Sequence, residues 1–282
     1  MKHGIYLPPF GDFADPRRVA ELAADAEKAG WDGFFIWDHM FGPPAMPVAD
    51  AWTTLAAIAM TTSRVRFGAM VTPLARRRPW TLARQIATLD QLSGGRLVVG
   101  IGLGDDGWNE FGAFGEETSP RGRGELLDDS LQVLLLLLSG NAVSYRGARY
   151  NVDADPMLPV PVQNPVPVWA AVRWPNRKPI VRAARLQGCF PIFPRVEASG
   201  RQPEPPPVAE VDELLTELVE IGLPRSYDMV VRFSSHRLDA AARVDVAQAI
   251  FASGATWMLE GFGVGQAAAE VEAVVRGGPP TN

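Results

Sequence analysis

The sequence predicts a (β/α)8 barrel of the TIM type, and three observations carry that reading. Short apolar runs rich in branched and aromatic residues alternate with longer amphipathic stretches. Gly, Pro and Asp punctuate nearly every change of pattern, as strand and helix ends require. The alternation repeats eight times within 282 residues of which 47% are hydrophobic, enough for one large core. We therefore read residues 1–282 as one barrel domain with insertion loops at its C-terminal face.

Gly4–Leu7 reads as the first strand, stopped by Pro8-Pro9. Asp15–Ala29 is a helix with Asp15 as N-cap, Pro16 in its first turn and Gly30 past its end. Gly33–Trp37, Val65–Val71 and Leu97–Leu103 are the next strands, separated by helices over Asp50–Thr62 and Pro79–Leu92. Arg121–Leu138 is a long helix. Within the insertion Asn141–Pro167, Val143–Val152 has the pattern of a hairpin around Arg146-Gly147, and five prolines keep the remainder extended. Val166–Val172 and Gly188–Phe193 are strands five and six, with a helix over Pro179–Leu186 between them. Pro194–Pro207 is proline-rich and poor in apolar residues, which predicts a mobile loop. Val208–Ile221, Tyr227–Phe233, Ala241–Ala252, Ala255–Leu259 and Val264–Val275 complete the series as helix, strand, helix, strand, helix.

Composition excludes several classes. A net charge of -5, with Lys and Arg dispersed, argues against nucleic acid as a partner. Cys189, the only cysteine, fits a reducing compartment, and its apolar surroundings predict an inert buried thiol. The first residues carry no signal-peptide pattern, and Val133–Leu138, the longest apolar run, is far short of a membrane span. The expectation is a cytoplasmic protein. No metal-ligand spacing occurs among His3, His39 and His236, and there is no GxSxG elbow.

In a barrel of this kind the chemistry gathers where strands run into the following helices. His39 follows strand two beside Trp37 and Asp38, and imidazole titrates near neutrality, so it is the first candidate for proton transfer. Gly100, Gly102 and Gly104 would share one bare face of strand four, against which a flat ring could lie or a neighbouring strand could pack. Asp105, Trp108, Asn109 and Glu110 follow that strand. The formal GxGxxG over Gly102–Gly107 does not open a glycine helix and is a weak sign of a dinucleotide fold. Arg173–Lys178 would place cations and backbone N–H groups at a helix start, a setting for phosphate. Arg76-Arg77-Arg78 and His236 read as solvated polar turns.

WDH after strand two, GAMVTP, TLDQLSGGRLVVGIGLG, NEF-x-x-FG, PVPVQNPVPVWAA and WPNRKP occur in an order that resembles the luciferase-like monooxygenase superfamily of flavin- and deazaflavin-dependent oxidoreductases. The resemblance runs from Gly4 to about Val275 and is densest between Leu82 and Phe114. It implies this barrel with FMN or the deazaflavin coenzyme F420 across the mouths of strands two to five. By the resemblance, His39 with Asp105 or Glu110 handles protons, and Trp37 and Trp108 face the substrate. Asp38, Met70, Val71, Thr72, Leu103, Gly104, Asn109, Arg173, Trp174, Asn176 and Arg177 fall at its cofactor positions, with a non-proline cis bond expected at Met70-Val71.

The implied activity is hydride transfer to or from a small organic substrate, or its oxygenation. The resemblance implies a flavin reductase or NAD(P)H as reductant source, and a homodimer is common in the family. Two departures stand out: Ala171-Val172-Arg173 where the family often has glycines, and Gln187-Gly188 where it often has Asp-Gly. The alternatives are a flavin-binding protein without turnover and a barrel aldolase or isomerase acting on a phosphorylated substrate. The loops Phe10–Phe13, Asn141–Pro167 and Pro194–Pro207 are expected to set the substrate.

Overall fold

The computed structural model describes residues 1–193 and 205–280. Most of the expected mobile loop, 194–204, lies outside the described residues. Strands β1 (Lys2–Leu7), β2 (Gly33–Ile36), β3 (Arg66–Ala69), β4 (Thr72–Pro73) and β5 (Val99–Gly102) alternate with helices α1 (Pro16–Lys28), α2 (Ala51–Thr61) and α3 (Pro79–Ser93). Helix α4 (Pro120–Leu138) leads to the hairpin β6 (Val143–Arg146) and β7 (Asn151–Ala154). The second half runs β8 (Val168–Arg173), α5 (Arg177–Ala183), β9 (Gly188–Ile192), α6 (Val208–Ile221), β10 (Asp228–Phe233), α7 (Ala240–Ala252), β11 (Trp257–Gly261) and α8 (Ala268–Gly277).

The helices begin where capping chemistry places them. The carboxylates of Asp15, Asp50 and Asp239 and the Ser119 hydroxyl accept from the backbone N–H groups of Arg17, Thr53, Ala242 and Gly122, two or three residues on. Asp15 is the N-cap read from the sequence.

Nine parallel strands follow one another in the order β3-β2-β1-β11-β10-β9-β8-β5-β4. The two ends of that order are halves of one strand. Val65–Val71 was expected as a single run, but pairing stops at Ala69 and resumes at Thr72, and the Met70-Val71 peptide between them is cis. β3 follows β2, whereas β4 pairs with β5 through Thr72 and Pro73. Parallel pairing of Phe67 with Leu97, and the Val98 N–H donating to the Phe67 carbonyl at 2.8 Å, bring the ends together. The ring therefore has eight positions.

The glycine face of β5 is filled by this break. A Cβ at Gly100 would overlap the Ala69 carbonyl and Met70, and one at Gly102 would overlap Val71. At Gly100 and Gly102 the bare face packs against the neighbouring strand and leaves no slot for a flat ring.

Inside the barrel, Tyr6, Phe35, Met70, Trp169, Phe190 and Trp257 form a packed layer distinct from the larger core between sheet and helices. Side chains fill the lumen, so the mouth is where a ligand can enter. Trp31 is fully buried and donates to the Val275 carbonyl at 2.8 Å, tying the last helix to the start of β2. Cys189 is fully buried, and burial pushes its thiol up to about 12.

The insertion 141–167 packs on the outside of the barrel. Its hairpin and the chain that follows lie along α3 and α4: Asp129 accepts from Tyr145, Arg149 and Tyr150, and Arg84, Gln91 and Asp90 bond the segment 158–163. Helix α4 delivers the chain to the opposite end of the barrel, and the hairpin runs back along it as far as Glu125 and Trp80, near the starts of α4 and α3. The loops 38–50 and 103–119 are the insertions at the C-terminal face. No helix among the described residues is long and apolar enough to cross a membrane.

Candidate active site

At the C-terminal ends of β2, β4 and β5 two acids, two arginines and a histidine form one network. Glu110 is only 1% exposed, and a carboxylate so deep requires partners. Its Oε2 lies 3.0 Å from His39 Nδ1 and 2.8 Å from Arg76 Nη1. Its Oε1 accepts the backbone N–H groups of Met40 and, at 3.1 Å, Phe41. Asp38, 3% exposed, accepts from Arg76 at 3.1 Å and from Arg77 at 2.8 and 2.7 Å. Arg76 also donates to the Asp38 carbonyl at 3.0 Å, so it clamps the loop after β2 to the loop after β5.

Burial works to raise the Glu110 carboxyl. It is outweighed by the hydrogen bond and charge of His39, the charge of Arg76 and the Phe41 N–H, and the group is held below its usual 4.5. With Glu110 ionised and acceptor-only, the His39 Nδ1 atom is assigned the shared proton. His39 Nε2 makes no hydrogen bond to a described residue, and the side chain is 22% exposed. One nitrogen is anchored and the other is free to exchange a proton at the mouth.

Aromatic rings enclose His39. Trp108 stands edge-on at 4.8 Å between centroids, with Phe10 and Trp37 both at 5.8 Å. Trp37 and Trp108 are partly exposed, as are Val71, Leu103 and Gly104 at the inner rim. Trp37 Nε1 is buried without a partner, as is the hydroxyl of fully buried Thr72. Met70 is buried in the lumen layer.

The other acids after β5 stand apart. Asp105 is exposed and makes no hydrogen bond or ion pair with a described residue, whereas Asp106 accepts from the Phe111 N–H at 2.7 Å. Asn109 is exposed, with a left-handed φ of 57° that an Asn tolerates, and its N–H donates to the Asp106 carbonyl. The Gly104 carbonyl accepts from Arg123 at 3.0 Å.

Arg173, Asn176 and Arg177 are exposed at the end of β8 and the start of α5, with Trp174 half-buried between them. Arg177 is paired with Glu217 of α6.

Sequence reasoning missed the roles of Arg76 and Arg77, which read as solvated and are instead largely buried ion-pair partners. The available signal was the pairing demand of two acids at the same rim. It also missed a second cluster. His236, expected in a solvated turn, has a side chain only 5% exposed. Its Nδ1 lies 2.7 Å from Oε1 of fully buried Glu260, which also accepts from Ser235. Gln266 Nε2 lies 3.1 Å from His236 Nε2, so both ring nitrogens are occupied.

Fold and site together define a parallel βα barrel with a histidine paired to a buried carboxylate at an aromatic mouth. The chain belongs to the luciferase-like monooxygenase family, whose profile matches residues 1–185. The F420-dependent glucose-6-phosphate dehydrogenase of Gordonia bronchialis is 32% identical over 169 residues, 57% of this chain and 48% of that protein. The chain spans about half the length of the curated dehydrogenases it matches. Among solved structures, an F420-dependent secondary alcohol dehydrogenase holding an F420-acetone adduct superposes with a TM-score of 0.75 at 18% identity, over 92% of each chain. The monooxygenase RslO1 from Streptomyces bottropensis gives 0.68 at 23% identity, over 90% of this chain and 81% of its own. At such identities the superpositions establish the shared barrel.

Proposed function

We propose that this chain is a flavin-type oxidoreductase that uses F420 or FMN on a small organic substrate. The observation that carries the reading is the His39–Glu110 pair, anchored on one nitrogen and open on the other. The residues at the mouth fit the cofactor. Trp37, Val71, Leu103 and Gly104 offer flat partly exposed walls, and Trp37 Nε1 is a donor without a partner. Asp38, Met70 and Thr72 would support this wall from beneath, being buried. Arg173, Trp174, Asn176 and Arg177 would receive the phosphate, with Asn109 at the facing rim.

When bound, the cofactor supplies hydride transfer or oxygen activation. His39 Nε2 gives or takes the substrate proton. Glu110 fixes the His39 tautomer, and Arg76 keeps Glu110 ionised by pairing with it. Glu110 is taken as the working acid in preference to Asp105, because it is the one that touches His39. The F420 dependence of the dehydrogenase relatives favours the deazaflavin. For FMN a flavin reductase or NAD(P)H would supply electrons. A cytoplasmic location and a homodimer belong to the same reading.

The test is an absorbance and fluorescence titration of the purified protein with F420 and, separately, FMN. Saturable binding of one of them is expected and names the chemistry. Binding of neither would overturn the proposal.

A further inference from the structure

A cavity of about 480 Å³ opens beside His39, on the loop that follows β2. Met40, Phe41, Pro43, Met46, Val48 and Trp108 line it, and no lysine, arginine or carboxylate does. Trp108 is shared: it lines the cavity, and its ring stands edge-on to His39 at 4.8 Å between centroids. Phe41 stacks on Phe114 at 5.6 Å and 17°, bridging this loop to the one after β5. The Met40 and Phe41 N–H groups end on Glu110, so the carboxylate that orients His39 also fixes this wall.

The nearest arginines of the network cannot serve a charged substrate. Arg76 and Arg77 are committed to Glu110 and Asp38, and freeing either would strand a buried carboxylate. An anion against this wall would gain no cationic partner, whereas an apolar molecule would cover Met40, Phe41 and Met46. A molecule with an apolar body fits, and a single hydroxyl or carbonyl on it would reach towards His39 Nε2.

We propose that the cavity is the substrate subsite and that it takes an uncharged, largely apolar alcohol or carbonyl compound, not the phosphorylated sugar named for the relatives. The proposal rests on the oxidoreductase reading above for the role of His39.

The probes are cyclohexanone, cyclohexanol and glucose 6-phosphate, followed by saturation-transfer NMR and titration of the full chain without cofactor. The cyclic probes are expected to bind, glucose 6-phosphate not. Met46→Asp, which puts a carboxylate in the wall, should weaken the cyclic probes at least about tenfold. Phe41→Ser, which keeps the backbone N–H that Glu110 accepts, should weaken them in the same direction. Tighter binding of glucose 6-phosphate than of the cyclic probes would overturn the assignment, as would cyclic-probe affinities unchanged in both variants. Failure here is separable from failure of the oxidoreductase reading. Cofactor binding with no probe binding sinks the subsite alone, whereas probe binding that responds to both variants without cofactor affinity sustains the subsite and sinks the redox role.

Discussion

His39 shows how one side chain is prepared by its partners. Its Nδ1 faces Glu110 at 3.0 Å, and Arg76 at 2.8 Å from the same oxygen keeps that carboxylate charged. Replacing the imidazole removes the exchangeable nitrogen but leaves Arg76 to compensate Glu110. His39→Ala should therefore keep its fold, seen as an unchanged far-ultraviolet circular dichroism spectrum, while turnover falls at least about 100-fold. Turnover within a few-fold of wild type would remove His39 from the chemistry. The candidate was legible because a histidine next to a strand end carries its own signal. The arginines were not, because a run of three cations reads as solvated until the depth of Glu110 and Asp38 is known. Burial is a property of the assembled barrel and leaves no local trace in ARRRP.

At the scale of elements, short-range capping was legible and long-range capping was not. Asp15 and Pro16 announce α1 because the cap acts within three residues. The start of β3 is held differently: Glu27, near the end of α1, accepts the N–H groups of Ser63, Arg64 at 2.6 Å and Val65 at 2.8 Å, together with the Ser63 hydroxyl. Burial opposes the charged form, yet these donors prevail and hold the carboxyl at about 2, below its usual 4.5. A depressed carboxyl favours the fold wherever it is ionised in both states. That contribution is complete above 4.5 and is lost as pH falls towards 2. Glu27 is half-buried at the edge of solvent, and screening reduces the effect to about 1 kcal/mol. Urea unfolding of Glu27→Gln should show wild type ahead by that amount at neutral pH, with the difference closing between pH 4.5 and 2. A gap that stays constant across that window would assign the stability to something other than this charge.

For the whole molecule, the eight-fold alternation was legible because strands buried on both faces and amphipathic helices differ in period. The closure of the ring was not. It depends on one strand being broken so that Arg66–Ala69 follows β2 while Thr72-Pro73 follows β5, and nothing in GAMVTP separates those halves by hydropathy. The course of the insertion 141–167 was illegible for a related reason: its sequence states that it is extended but not which helices receive it. Closure requires the backbones of β3 and the chain entering β5 to approach closely. Gly68 sits at that seam, where a Cβ would overlap the Val98 carbonyl oxygen. The clash is with backbone that is itself held by the Val98 N–H to Phe67 carbonyl bond, so no side-chain rotation relieves it. Gly68→Ala should accordingly cost about 3 kcal/mol or more, the upper end for overpacking, as a lowered urea midpoint with an unchanged slope. Gly277→Ala, at the end of α8 with open space around it, supplies the contrast and should be nearly neutral. Equal stability of the two variants would mean that the ring does not close through Gly68.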